Sequence, residues 1–472
     1  MSFHFLNGIT YFQYVDTGPG TIIVDPLARI VPSNVTLDAL TLGGGSWDIT
    51  ISGLVYSNLR GIFLADSGAP ISNIKIKAGG EVFGSQYSIQ ANHAANITNA
   101  GAISAKNNSI GIWENGDGDF FINNLKTGLI EGGGSAIRIT GLGTHTIANA
   151  GTIAVYGGLG AIVCDDGVEK VTNWGKIEGN ASSGGGVFLG AGNDVLTNFK
   201  KVHGVIKHGT VTGVIDLGEG DDIFNGGKRA ETLRDRDGTD TYKFGGGNDT
   251  YLAVYTSSSP SGDGIDLANA DIVNGGAGID TYDASALVNN GFITVNLDSV
   301  AHSGGVVPNS VRVSAGGVAI GIDTVSGIEK FIGTDGFDVF WGSSGADIFE
   351  GGAAGDTIIG LRGADNLTGG DGNDSFLYTS LKDSGPTKAT RDFIADFGFG
   401  GDQIDLQSLD INDDFHFVGN NVAFDGTPGA IIAVDGADER TVVKLDVNGD
   451  KVADFSIGFS ELLTFAVSDF QL

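Results

Sequence analysis

Cut every nine residues, Gly333–Leu377 reads GTDGFDVFW, GSSGADIFE, GGAAGDTII, GLRGADNLT and GGDGNDSFL. Each unit opens on Gly. Each has Asp sixth, at Asp338, Asp347, Asp356, Asp365 and Asp374, and a large apolar residue eighth, at Phe340, Phe349, Ile358, Leu367 and Phe376. Five units hold this register without an insertion, which is the glycine-rich nonapeptide G-G-x-G-x-D-x-U-x with U apolar. Gly permits the positive-φ backbone that curls six residues into a tight loop. The apolar eighth residue then sits on a short strand and faces inward. Two units close one coil of eighteen residues, so the carboxylates at i and i+18 stack: Asp338 with Asp356 and Asp374, and Asp347 with Asp365.

Stacked carboxylates repel unless a cation lies between them. A hard cation held by carboxylates and loop carbonyls is Ca²⁺. A solvated Gly/Asp-rich loop array without metal is the plainer alternative. The stretch resembles the RTX repeats (hemolysin-type calcium-binding repeats) of secreted bacterial proteins, which build a calcium-filled parallel β-roll. That resemblance implies a ligand set. One loop offers the carbonyls of its second and fourth residues plus its Asp, and the loop eighteen residues later offers its first and third carbonyls plus its Asp. The implied sites are Thr334, Gly336, Asp338, Gly351, Ala353 and Asp356; then Ser343, Gly345, Asp347, Gly360, Arg362 and Asp365; then Gly352, Ala354, Asp356, Gly369, Asp371 and Asp374. The departure is Ala353-Ala354, where Gly is expected fourth.

Four more units in register run over Leu217–Leu252: LGEGDDIFN, GGKRAETLR, DRDGTDTYK and FGGGNDTYL. By the same resemblance, Gly218, Gly220, Asp222, Asp235, Asp237 and Asp240 form a site. A second set centres on Asp249, where Glu231 replaces the opposing Asp and Arg229 lies nearby. Asp271 and Asp280, within Asp266–Asp283, lack a mate at i+18 inside their run. Leu189–Thr197, LGAGNDVLT, fits the nonapeptide but lies inside a longer repeat.

That longer repeat starts near Trp47. Asn99, Asn124, Asn149, Asn173 and Asn198 recur every 24 or 25 residues, and short strands such as GIFL, GIWE, AIRI, AIVC and GVFL recur beside them. Short β-branched strands joined by Gly/Asn turns predict a right-handed parallel β-helix, with the Asn residues forming a side-chain amide ladder. The fold class is therefore all-β, with the β-helix running into calcium-binding β-rolls. The expected organisation is an N-terminal cap at 1–46, the β-helix at 47–216, a first roll at 217–283, a β-rich spacer at 284–332, a second roll at 333–377 and a C-terminal domain at 378–472.

In that last region, TRDFIADF at 390–397 precedes GFGGDQIDLQSLD, and the chain closes on DFQL. This resembles the C-terminal domain of serralysin-type metalloproteases, which carries an uncleaved type I secretion signal. The resemblance implies type I secretion machinery as a partner and an extracellular destination. The N-terminus, MSFHFLNGITYFQYV, lacks the basic and apolar pattern of a cleaved signal peptide. Asp396 and Asp402 are further calcium candidates. Asp446, Asn448, Asp450 and Asp454 lack the Gly and final Glu of an EF-hand and read as a β-turn.

The net charge of −31 disfavours nucleic acid and anionic membrane surfaces as partners. It fits a calcium requirement, because self-repulsion opposes compaction without metal. No apolar run is long enough to span a bilayer. The single cysteine, Cys164, excludes an internal disulfide framework. No HExxH occurs, so the zinc protease of the serralysins is absent. The expected function is that of a secreted protein that folds on calcium, with a noncatalytic surface, matrix or adhesive role. The alternative is a β-helix polysaccharide lyase, hydrolase or epimerase with an RTX tail. It would draw on Glu114, Asp117, Asp119, Asp165, Asp166, Arg138 and Lys170 along one solvent-facing turn. Extracellular polysaccharide or a cell surface is the expected outside contact.

Overall fold

The structure is a computed structural model. It describes the chain except residues 1, 6–7, 11–12, 35, 181–183, 235, 254–269, 288–290, 303–305, 316–317, 399, 410–413 and 437–439. The described residues form strands and turns with one short 3₁₀ segment, Val467–Asp469, and no α-helix. They divide into two compact units, Met1–Asp249 and Thr250–Leu472.

In the first unit, as far as Thr210–Thr212, each coil contributes a strand to each of three parallel faces. On one face Trp47–Ile51, Ser72–Ile76, Ala95–Asn99, Phe121–Asn124, Thr144–Asn149, Val168–Asn173 and Val195–Thr197 stack in parallel. The inward residue repeats as Ile49, Ile74, Ile97, Ile122, Ile147, Val171 and Leu196, each at most 2 % exposed. A second face is a nine-stranded sheet from Gly8–Thr10 to Thr210–Thr212. β-Branched residues suit these positions because they pack well on a pleated, buried surface. Burying each contributes about 1.5–3 kcal/mol before chain entropy is counted.

The described residues of 1–46, a stretch expected as a cap, are themselves wound into parallel coils. Ser2–Phe5 pairs with Gly20–Val24, Gly8–Thr10 with Ala28–Ile30, and Tyr14–Asp16 with Leu40–Leu42. The weak period of the sequence there reflects short strands of three to five residues.

The β-helix runs into the first roll without a break. Val195–Thr197 pairs with Ile223–Asn225, which pairs with Thr241–Gly246. Gly185–Phe188 pairs with Val214–Asp216, which pairs with Thr232–Arg234. The middle face stops at Thr210–Thr212. Where three faces become two, aliphatic core residues give way to Phe224, Tyr242 and Phe244, whose rings fill the narrower coil. A surface hairpin, Phe199–Val202 with Val205–His208, leaves the stack just before this change.

The second unit is built on the same two-faced coil. Thr281–Asp283, Lys330–Ile332, Ile348–Ala353 and Asn366–Asp371 stack in parallel on one face. Val339–Trp341, Thr357–Ile359, Ser375–Leu377 and Gln403–Asp405 stack on the other. Phe331, Phe340, Phe349, Ile358 and Phe376 are wholly buried between them. The stretch expected as a spacer is an antiparallel excursion, Phe292–Asn296, Ser310–Ala315 and Val318–Ser326. Its two ends rejoin the parallel stack through Val339–Trp341 and Ile272–Ala277. Near the C-terminus an antiparallel sheet, Ala430–Asp435, Thr441–Asp446 and Phe455–Phe459, attaches through Asp392–Ile394.

Candidate metal centre

The sixth-position acids form buried columns. Beyond the first coil, where Asp338 Oδ1 accepts Ile293 N–H and Asp347 Oδ1 the Ser343 hydroxyl, each accepts through Oδ1 the backbone N–H of the corresponding acid one coil earlier. In the second unit Asp338 N–H donates to Asp356 at 2.8 Å, Asp356 to Asp374 at 2.8 Å and Asp374 to Asp402 at 3.1 Å. On the other side Asp347 donates to Asp365 at 2.9 Å and Asp365 to Asp392 at 3.0 Å. The loops 333–338, 351–356 and 369–374 are thus brought together, as are 342–347 and 360–365.

The first glycine of each unit has a steric cause. A Cβ on Gly351 would lie 2.2 Å from its own Asp356 Oδ2, one on Gly360 2.4 Å from Asp365 Oδ2, and one on Gly369 2.3 Å from Asp374 Oδ2. Carbonyls named in the ligand sets pack against the same stack. Those of Thr334, Gly352 and Ala354 lie against Gly352, Gly370 and Gly372, that of Gly345 against Gly363, and those of Gly351, Gly360 and Gly369 against Gly333, Gly342 and Gly351. Gly336 packs against Gly291 O. Ser343 and Arg362 sit in their loops, and Ala353 pairs with Asp371 at the strand ends.

The second carboxylate oxygen separates two kinds of loop. In the first coil Oδ2 is satisfied locally: Thr334 N–H donates to Asp338 Oδ2 at 2.6 Å, and Ser343 N–H to Asp347 Oδ2 at 2.6 Å. In the next coils the second residue is Gly352, Leu361 or Gly370, all at positive φ. There Asp356, Asp365 and Asp374 each keep a buried Oδ2 with no hydrogen-bond partner. Burial, reinforced by the neighbouring carboxylates, pushes Asp356 and Asp365 up to about 8. A buried, unneutralised carboxylate oxygen costs several kcal/mol. Each implied pair contains at least one such oxygen, and Asp356 with Asp374 contains two, so the residues fit a cation. No group of three or more His, Cys, Asp or Glu side chains surrounds one point among the described residues. Two carboxylates completed by backbone carbonyls are the arrangement the loops can offer.

In the first unit Asp222 accepts from Asp194 N–H and donates its own N–H to Asp240, both at 2.7 Å. Asp222 Oδ2 is buried without a hydrogen-bond partner. Asp240 Oδ2 accepts from the Tyr242 hydroxyl. Gly218 and Gly220 take positive φ and press on Gly190 and Gly192 of the coil before. Asp237 O accepts Gly220 N–H at 2.8 Å, and Asp235 lies outside the described residues. Glu231 N–H donates to Asp249 Oδ1 at 2.7 Å, while Glu231 Oε1 accepts from Asn198 Nδ2 at 2.7 Å. Glu231 therefore ends the amide ladder, in which Asn99, Asn124, Asn149, Asn173 and Asn198 each donate to the next at 2.7–2.9 Å.

Two site residues, Asp392 and Asp194, escape sequence reasoning, and a third, the candidate Asp402, gains its partner only in the structure. Asp392 stacks on Asp365 at a spacing of 27 residues, Asp402 on Asp374 at 28, and Asp194 on Asp222 at 28. None falls on an 18-residue interval. Asp396 spends both oxygens on Gly369 and Gly370 N–H groups. Asp446 is similarly spent on the N–H groups of Gly449, Asp450 and Lys451, which makes a capped turn.

Of the acids proposed for polysaccharide chemistry, Asp117, Asp119, Asp165 and Asp166 are exposed, whereas Glu114 leaves the solvent face. Glu114 is fully buried and accepts from Gly116 and Gly141 N–H. Its strand alternation, not its Gly/Asp-rich turn, decides its direction. Asp119 accepts Thr144 N–H, and Asp165 lies 3.6 Å from Arg138.

Residues 215–251 match the RTX calcium-binding nonapeptide repeat (4 copies), and residues 267–471 match the Peptidase M10 serralysin C terminal. The second match begins well before the five-unit array and so takes in the antiparallel excursion. No curated protein matches the chain. Among the described residues no helix is long and apolar enough to cross a membrane. The chain carries RTX calcium-binding repeats and a C-terminal domain of the serralysin type, the two marks of a secreted calcium-binding protein exported by a type I route.

Proposed function

We propose that the RTX coils fold when calcium fills the loops outside the cell, and that the finished β-helix serves as a noncatalytic surface, matrix or adhesive rod. The observation that carries this is the buried Oδ2 of Asp356, Asp365 and Asp374, each left without a hydrogen-bond partner. Where calcium is scarce these columns repel and the coils stay open, which suits passage through a channel. Near millimolar calcium, sites of the affinity usual for extracellular modules, about 10⁻⁴–10⁻³ M, fill. The ligands are those named for the five-unit array and for Asp222 with Asp240. The interior position of Glu114 and the pairing of Arg138 with Asp165 support the noncatalytic reading.

Far-UV circular dichroism during a calcium titration tests the folding claim. The expected result is a calcium-dependent gain of β signal, and Asp356→Ala, which removes a carboxylate shared by two sites, should hurt most. A full β spectrum in chelator would sink the proposal for the rolls. A screen of the calcium-loaded protein on acidic and neutral polysaccharides tests the rod reading, since new unsaturated or reducing ends would replace it with an enzyme.

A further inference from the structure

The acid column does not begin with the nonapeptides. Following register backwards from Asp240, the inward residue at the start of this face is Asp222, then Asp194, then Glu169, then His145. Before His145 comes Phe120, whose carbonyl accepts Thr146 N–H. The turns are one turn throughout: NGDGDFFIN, TGLGTHTIA, CDDGVEKVT, LGAGNDVLT and LGEGDDIFN, starting at Asn115, Thr140, Cys164, Leu189 and Leu217. Their sixth residue changes along the stack from Phe120 to His145, Glu169, Asp194 and Asp222.

Glu169 and Asp194 copy the geometry of the roll acids. Glu169 N–H donates to Asp194 Oδ1 at 2.7 Å, as Asp222 N–H does to Asp240. Their loops nest in the same way: a Cβ on Gly190 would lie 1.7 Å from Asp165 O, and one on Gly192 1.7 Å from Gly167 O. Glu169 is 1 % exposed and Asp194 0 %. Both oxygens of Glu169 and Oδ2 of Asp194 are buried and accept from no N–H or hydroxyl donor; the two carboxylates face each other, and no ion pair reaches either residue among the described residues. Three unneutralised carboxylate oxygens in one buried place need a positive charge or a proton. Burial and the charge of Asp194 push Glu169 upward, which is what such a place does to an acid without a counter-ion.

We propose that Glu169 and Asp194 hold a further calcium ion, inside the β-helix and outside both matched segments. It rests on the calcium reading of the rolls. Oxygen donors alone select a hard cation. Calcium would then secure the last coils of the β-helix as well as the rolls.

The test counts ions bound per chain by equilibrium dialysis with calcium, on the full-length protein, for wild type, Glu169→Gln and Asp356→Asn. The expected result is one ion fewer for Glu169→Gln. An unchanged count for Glu169→Gln beside a lowered count for Asp356→Asn overturns this site alone, and leaves a proton shared by Glu169 and Asp194. Unchanged counts in both variants overturn the calcium reading of the rolls. If Glu169→Gln does not fold, hydrogen exchange on the wild type decides. Slower exchange at residues 165–170 in calcium than in magnesium of equal ionic strength supports the site, and equal exchange overturns it.

Discussion

At Gly351 the space for a Cβ is already occupied by Asp356 Oδ2, 2.2 Å away. Gly351→Ala must push the carboxylate off its column. We expect it to raise the calcium midpoint of folding severalfold, at about the 1–3 kcal/mol typical of overpacking. Titration followed by circular dichroism measures this. Ala354 sets the opposite case. It holds φ at +68° where most units have Gly. A left-handed conformation costs a non-glycine residue roughly 1–2 kcal/mol, so Ala354→Gly should stabilise the calcium-loaded array by about 1 kcal/mol, read as a higher Tm.

Two columns of different chemistry stabilise the coils of the first unit. Asn149 accepts from Asn124 and Gly151 and donates to Asn173 and Lys176 O, all in the interior. Asn149→Ala leaves several of these groups unmet, at about 1–3 kcal/mol for each one orphaned. Chemical denaturation in saturating calcium should show that loss, with the number of bound ions unchanged. The contrast with the acids also explains what the chain revealed beforehand. The amide ladder was legible because one residue type recurs at one spacing. The nonapeptide acids were legible for the same reason. Asp392 was not, because the coil that places it over Asp365 is longer. Glu169 was not, because its neighbours in the column are His145 and Asp194, and a column of mixed residue types leaves no repeated letter. Glu114 misled because the NGDGD that follows it reads as solvent turn, while the alternation of Ile110–Glu114 turns its carboxylate inward.

For the molecule as a whole, net charge −31 makes proton and calcium rivals for the same oxygens. Asp356 and Asp365, at about 8, lie above the ordinary unfolded carboxylate near 4. An acid that holds its proton more tightly when folded favours the fold at low pH. In chelator, then, stability should be highest near pH 4 and should fall as pH rises toward 8. In calcium the order should reverse, because protons displace the ion. Thermal unfolding at pH 5 and pH 8, with and without calcium, checks both limbs. A chelated protein more stable at pH 8 would contradict the burial of these columns.

The meeting of Asn198 with Glu231 has a consequence for how such a chain can lengthen. An amide both gives and receives, so an inserted Asn-bearing coil leaves its two neighbours as content as before. A carboxylate only receives. Once Glu231 has closed the ladder, every coil added beyond it brings an oxygen that no side chain of its kind can answer. The amide section can therefore grow or shrink freely, whereas the acidic section can grow only in step with its supply of ions.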